Sequence, residues 1–512
     1  MKFTCEVTVV DPSLSRTSVT LLEGDSFQLK AKKYSGSAKW SVKNSEIAKV
    51  SSSGLITARK AGKTKIIFRA NKTDIVCKLK VLRGRLASGS IRVAEGQTAG
   101  IKRKGKAVPD SYSSEDEKIA KVSADGIVTG VKSGATMIKA HYGDSVRSCY
   151  VTVDKKKAAE IFGQTAAQRN AGIGSLRDRY LGHESKYRFL QGSCTDGENA
   201  YFLLGDRNYG NECALIKVRL KDWKIVKKQT KLPLGHGNDL TYDSKRKQFV
   251  AVHASYQGSS GGQSVSLISP KKLKIKKTFQ LDEKVYAAAY NAKKDRFAFG
   301  ISGTEQIVIK DKAFHTVKTF SLLRRESFTH QGIDADNKYI YILQSNLSEA
   351  KARVLVYTWK GVYYTTINLN GRREAESLFH VKNKFYIASN NSEYDGGQVY
   401  ETAMKQYYQV KYLPGEGTGT AHSEMIKTGR GFTAAACGFQ NEGCEFRGYT
   451  AFRVSDGKAC YRHKNTKKVK WFESGKQPDG YKVYVIKEGK QLKAFSDVAG
   501  DCIVMTAAWK QK

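Results

Sequence analysis

Six short segments in the C-terminal two-thirds of the chain open on a polar or aromatic residue just ahead of an otherwise apolar strand. They are QGSCTDGENAYFLL, NDLTYDSKRKQFVAV, YAAAYNAKKDRFAFG, QGIDADNKYIYIL, ESLFHVKNKFYIA and SEMIKTGRGFTAA, so the opening residues are Gln191, Asn238, Tyr286, Gln331, Glu376 and Ser423. Their neighbours add His236, Asp239, His330, Glu374, His422 and Glu424. Amides, imidazoles and carboxyls beside an aromatic ring are the groups that hydrogen-bond sugar hydroxyls. The ligand-binding set expected from this pattern is Gln191, His236, Asn238, Asp239, Tyr286, His330, Gln331, Glu376, His422 and Glu424.

A hydrolase or lyase is the alternative. Cleaving a glycosidic bond takes two carboxyl groups flanking it. Asp239, Glu376 and Glu424 are the available acids, and His236, His330 and His422 the candidate bases. No GxSxG, HExxH or phosphate-cradling glycine loop occurs, and no catalytic residue is assigned. Asp334-Ala335-Asp336-Asn337 starts like a calcium loop, but the glycine and distant glutamate do not follow, so it reads as a turn. No cofactor and no metal site is implied.

Elements with a fixed period must carry these residues. The anchoring apolar positions Tyr201, Phe249, Phe297, Ile340, Phe385 and Phe432 are 48, 48, 43, 45 and 47 residues apart. Each unit continues with a third strand (ALIKVRL, SVSLISP, QIVIKD, RVLVYTW) and usually a fourth. Four strands repeated every 40–50 residues predict a β-propeller over 186–465, six-bladed, with five blades plus an extra hairpin as the alternative. No WD, kelch or Asp-box motif names it. Ala-rich DKKKAAEIFGQTAAQRNAGIGSLRDRYL predicts a helical connector over 154–185. Residues 466–512 resemble the front half of a fibronectin type III module through Trp471, Asp479-Gly480-Tyr481 and Tyr484, or else close the propeller.

The N-terminal third repeats differently. Cys5, Cys77 and Cys149 stand 72 residues apart, and the same offset relates Trp40 to Tyr112, IAKV at 47–50 to IAKV at 119–122, Gly54 to Gly126 and Gly62 to Gly134. Period-2 alternation between Gly- and Ser-rich turns predicts about seven short antiparallel strands per unit, a small sandwich at 11–82 and another at 83–153. IAKVSSSGLITARKAGKTKI and IAKVSADGIVTGVKSGATMI closely resemble the group 2 bacterial immunoglobulin-like (Big2) domain. That resemblance implies a spacer in an exported or surface-attached bacterial protein and no catalytic residue. Residues 1–10 match the last strand of a further unit, so the chain is expected to begin inside a longer protein, and the lack of a signal peptide is uninformative.

The fold class is therefore all-β: tandem Ig-like sandwiches followed by a propeller. The 88 Lys+Arg against 48 Asp+Glu give +40 over 512 residues, a field that attracts polyanions. That charge is spread over nearly every strand without a nucleic-acid-reading motif, so no specific nucleic-acid partner is expected. No run of about 18 apolar residues exists, so no transmembrane segment is expected. The expected protein is a monomer at the bacterial surface or outside the cell, binding a glycan or an anionic wall polymer. Nine cysteines form no metal-binding spacing. Cys5, Cys77 and Cys149 read as small buried apolar residues, whereas Cys194/Cys213 and Cys437/Cys444 flank hairpins, and either pair could bridge in an oxidising compartment.

Overall fold

A computed structural model describes residues 11–512 except 35, 37–38, 71, 207–209, 255–261, 371–373, 382–383, 391–395, 455, 476 and 497–500. The orphan strand expected at 1–10, with Cys5, lies outside the described residues. The chain divides into two compact units, 1–156 and 157–512.

In the first unit the 72-residue repeat is two sandwiches of the same topology. The first pairs Ser18–Leu22, Thr73–Leu82, Gly62–Ala70 and Lys39–Val42 in that order, opposite a sheet of Ser26–Gln28, Leu55–Ala58 and Ala48–Val50. The second repeats it with Ser90–Ala94, Ser145–Asp154, Gly134–Tyr142 and Ser111–Ser114 opposite Thr98–Gly100, Ile127–Gly130 and Ala120–Val122. Alternation along each strand sends Ile66, Phe68, Cys77 and Leu79 into one core and Ile138, Cys149 and Val151 into the other. Burial pushes the Cys77 thiol up to about 11, so it stays a protonated, inert apolar group. Gly54 and Gly126 turn the hairpins at φ of +84° and +79°, the left-handed region a Cβ disfavours.

In the second unit five sheets form a ring. Their inner strands are Tyr187–Thr195, Asp239–Asp243, the second half of Ile275–Asn291, Thr329–Ala335 and Glu374–Val381. Each packs against the next, and the fifth packs against the first. The ring is closed with five blades, so the six-blade count is corrected to the five-blade alternative. Ile275–Asn291 is one 17-residue strand that is outermost in the second blade and innermost in the third.

The helical reading of 154–185 also needs correction. Only Ala158–Ile161 and Leu176–Tyr180 are helical, and between them Thr165–Asn170 is a strand. Gln168–Asn170 pair antiparallel with Tyr400–Thr402, supplying the fourth strand of the fifth blade, while Thr165–Ala167 lie parallel to Asn368–Asn370 of the fourth. Tertiary pairing overrides the helix propensity of TAAQRN, because an unclosed ring leaves two sheet edges bare.

The sixth unit is not a blade. His422–Lys427, Tyr407–Leu413, Cys502–Gln511, Cys444–Arg453, Lys458–His463 and Val469–Glu473 hydrogen-bond in that order into one sheet with its own core around Tyr408, Tyr412, Tyr449 and Ile503. The tail 466–512 therefore neither closes the propeller nor stands as a separate half-module. Its last strand runs through the middle of this sheet.

Candidate functional site

The inner strands are not regular where the opening residues stand. The pairing register slips between Leu190 and Ser193, Val285 and Ala287, His330 and Ile333, and Ala375 and Ser377. Gln191, Tyr286, Gln331 and Glu376 sit at those four slips. A bulge adds one residue to a strand and re-aims its side chain. Asn238 immediately precedes the second inner strand, Asp239–Asp243, and donates from Nδ2 to the Tyr286 carbonyl, 3.2 Å away in the next blade. The structure thus brings Gln191, Asn238, Tyr286, Gln331 and Glu376 to equivalent places around one ring.

Glu376 is buried and accepts a 2.9 Å bond from Asn390 Nδ2. Burial first, then the neighbouring Glu374 carboxyl, push its pKa well above the ordinary carboxyl range. Asn390 also clasps the backbone of Leu190, accepting from its N–H at 3.1 Å and donating to its carbonyl at 3.2 Å, which ties blade five to blade one. His330 stacks on Tyr286 with centroids 5.4 Å apart and planes 14° apart. His330 Nδ1 is 3.0 Å from Gln344 Nε2 and must accept, so the ring hydrogen sits on Nε2, which is buried without a partner, as is the Tyr286 hydroxyl. Burial, helped by Arg325 and Arg353, takes the His330 pKa down to about 4. Burial alone does the same for His236, whose ring lies 6.3 Å from Phe189.

Asp239 plays a different part from the one expected. It is 1% exposed and its Oδ2 accepts from the Ala288 and Ile333 N–H groups at 3.1 and 3.3 Å. The Ser377 hydroxyl lies 3.4 Å from Oδ1, and Ser193 reaches Ser377 from N and Oγ at 2.8 Å each. These bonds link all five blades at the axis. Gly192 and Gly332 permit the approach: a Cβ would stand 2.7 Å from Asp239 Cα and 2.8 Å from Ser377 Cα respectively. Burial pushes the Asp239 carboxyl up to about 8. It is a structural hub and not a free ligand group.

His422 and Glu424 do not join the ring. They lie on the outer strand of the C-terminal sheet, where His422 stacks on Tyr412 at 4.8 Å and the Tyr412 hydroxyl donates to Glu424 Oε1 at 2.7 Å. Asn390, Gln344 and Ser377 escaped the sequence reading. Asn390 and Gln344 lie near the ends of second strands whose middle residues are apolar, and that break in pattern was the available signal. Among the described residues no three His, Cys, Asp or Glu cluster to hold a metal, and the cysteines are free thiols, Cys194 and Cys213 both being buried.

Residues 7–79 and 93–153 match the bacterial Ig-like domain (group 2), a domain typical of bacterial surface proteins. No curated protein matches the chain. Solved structures similar to part of the chain include U3-55K (9% identity, TM-score 0.27, 41% of this chain), of which the chain spans 60%. They also include the tail fiber of Staphylococcus aureus phage P68 (11%, 0.33, 43% of this chain and 51% of that one) and the Swd1 β-propeller domain of Myceliophteria thermophila (8%, 0.29, 46% and 99%). No helix among the described residues is long and apolar enough to cross a membrane. The chain carries two group 2 bacterial Ig-like domains followed by a β-propeller.

Proposed function

We propose that this is a bacterial surface or secreted binding protein in which the Ig-like pair serves as spacer and the propeller ring recognises a glycan. One observation carries the reading: four inner strands are bulged where Gln191, Tyr286, Gln331 and Glu376 stand, and Asn238 stands just ahead of the remaining one, Asp239–Asp243. A bulge costs ladder hydrogen bonds, and its repetition at equivalent positions is what a shared binding ring requires. Those five positions carry amides, a phenol and a carboxyl whose pKa is raised, and no cation. They suit hydroxyl groups better than phosphates, so a neutral glycan is favoured over an anionic wall polymer for this ring.

A hydrolase or lyase retains one supporting feature, since a carboxyl with a raised pKa, like that of Glu376, is what a general acid needs. Against it, the backbone occupies Asp239 and Glu424 belongs to another sheet, so neither serves as the second acid.

A glycan array probed with the full chain tests the reading. Gln331→Ala and Glu376→Gln should each weaken the bound glycan roughly tenfold, the usual cost of one lost hydrogen bond in a ligand site. Unchanged binding in both variants overturns it, and release of reducing ends by the wild-type chain favours the enzyme.

A further inference from the structure

The C-terminal sheet holds a cleft of about 410 Å³ lined by Arg447, Arg462, Lys482, Lys487, Tyr484 and Trp509. We propose that it binds an acidic polysaccharide, a function separate from the propeller ring. Three features of the backbone build it. Arg447 sits at a bulge, where the pairing of Cys444–Arg453 with Cys502–Gln511 slips between Phe446 and Gly448. Gly448 makes the bulge possible, since a Cβ there would meet the Ile486 carbonyl at 2.5 Å. Arg462 and Lys482 are direct cross-strand partners.

That last pairing is the telling one. Like charges directly opposite on a ladder repel and destabilise it, and an anion between them removes the repulsion. Glu445 lies 3.6 Å from Arg447, with both side chains largely exposed, and so neutralises only one flank.

The apolar lining decides the class of polymer. Val483 and Val485 are exposed at 41% and 39%, ready for the C–H face of a sugar ring. Open aromatic faces for stacking bases are scarce. The Arg462 guanidinium lies over Tyr484, 5.5 Å from its centroid. Trp509 is fixed by its Nε1 bond to the Pro414 carbonyl at 2.9 Å and by edge contact with Phe446. Single-stranded nucleic acid binds through such open faces. A uronic-acid chain needs only the cations and the apolar floor.

The full chain is titrated with polygalacturonate, uncharged dextran, linear polyphosphate and oligo-dT in calorimetry at two salt concentrations. Polygalacturonate should bind best, and any dextran binding should be the same in wild type and in Lys482→Glu/Lys487→Glu. Lys482→Glu/Lys487→Glu should lower polygalacturonate affinity by roughly a hundredfold, about tenfold for each reversed contact. Lys63→Glu/Lys65→Glu, an equal charge reversal on the first Ig-like unit, and Gln331→Ala in the propeller should leave it within a factor of two (roughly the scatter of such measurements). Equal losses in the two charge-reversed variants mean a diffuse field and overturn the site. So does an unaffected Lys482→Glu/Lys487→Glu protein, and tighter binding of polyphosphate or oligo-dT overturns the polysaccharide assignment.

Discussion

The Arg147 guanidinium donates from its two terminal nitrogens to the two carboxylate oxygens of Asp25, at 2.8 Å each, joining the two Ig-like units. Burial opposes ionisation of Asp25, but the bonds from Arg147 and Ser145 hold its carboxyl below the ordinary range. Around the pair, Leu22 N donates to Ser145 Oγ at 2.9 Å, and Leu22 packs with Ala107, Ala140 and Tyr142. Arg147→Ala should cost about 1 kcal/mol, since the pair is only partly buried. Hydrogen exchange at Leu22 and Tyr142 should quicken. Because the folded pKa of Asp25 is depressed, its contribution is present above about pH 4 and is lost only as pH falls through the lowered value. Wild type and variant should therefore converge in stability in strong acid.

Asp239 gives the opposite pH dependence. Its folded pKa, about 8, lies above the unfolded value of about 3.9, so the folded state holds the extra proton between the two. Its contribution is full below about pH 4 and fades as pH rises toward 8. From pH 5 to pH 7 that single proton is worth about 3 kcal/mol of stability. Urea unfolding at pH 5 and pH 7 should show a drop of that order in wild type relative to Asp239→Asn. The same slope in both proteins would remove Asp239 as the titrating group.

His330 should not titrate in the usual range. With its pKa lowered to about 4, its contribution is present above the unfolded value of about 6.5 and is lost as pH falls toward 4. Histidine side-chain NMR should show the ring assigned through His330→Gln still neutral at pH 5.5, as the His236 ring should be. A ring at this position titrating near 6.5 would mean that the stack on Tyr286 is open to water.

Gly332→Ala should destabilise the propeller by about 1–3 kcal/mol, the range for overpacking a close backbone approach. A Cβ there would stand 2.8 Å from Ser377 Cα, and backbone moves aside less easily than a side chain. Gly303→Ala is a useful contrast, since open space surrounds that position even though its φ of +76° adds strain. Thermal unfolding of the two variants separates crowding from backbone strain.

Ala166→Pro should cost on the order of 3 kcal/mol through lost pairing and crowding. Ala166 is buried and pairs with Leu369 in the strand that joins the fourth and fifth blades. Limited proteolysis should then cut first at the freed edge Gln398–Thr402. Cleavage spread evenly over the blades would show that the closing strand is dispensable.

The Ig-like pair and the five ring positions could be read from sequence because both repeat. A fixed offset exposes Cys77 and Cys149, and polar residues opening apolar strands expose Gln191 and Gln331. The sixth unit misled because SEMIKTGRGFTAA alternates as a blade hairpin does, and alternation records which face is buried but not which sheet receives it. TAAQRN at 165–170 misled for a related reason. Its partners, Asn368–Asn370 and Tyr400–Thr402, lie more than 200 residues away, and local propensity carries no trace of them. Asp239 looked like its polar neighbours because nothing short of three-dimensional packing distinguishes a carboxyl aimed at the axis from one aimed at solvent.

The strand Thr165–Asn170 has a mechanical consequence. The chain enters the torus at this strand and leaves it beside the same edge, where Gly163 N bonds the Met404 carbonyl and Phe162 bridges to Lys405. Tension arriving from the Ig-like side and leaving through the C-terminal sheet would cross only this seam. The remaining blades would carry almost no load, so the chain could be pulled across this seam without the ring of inner strands being deformed.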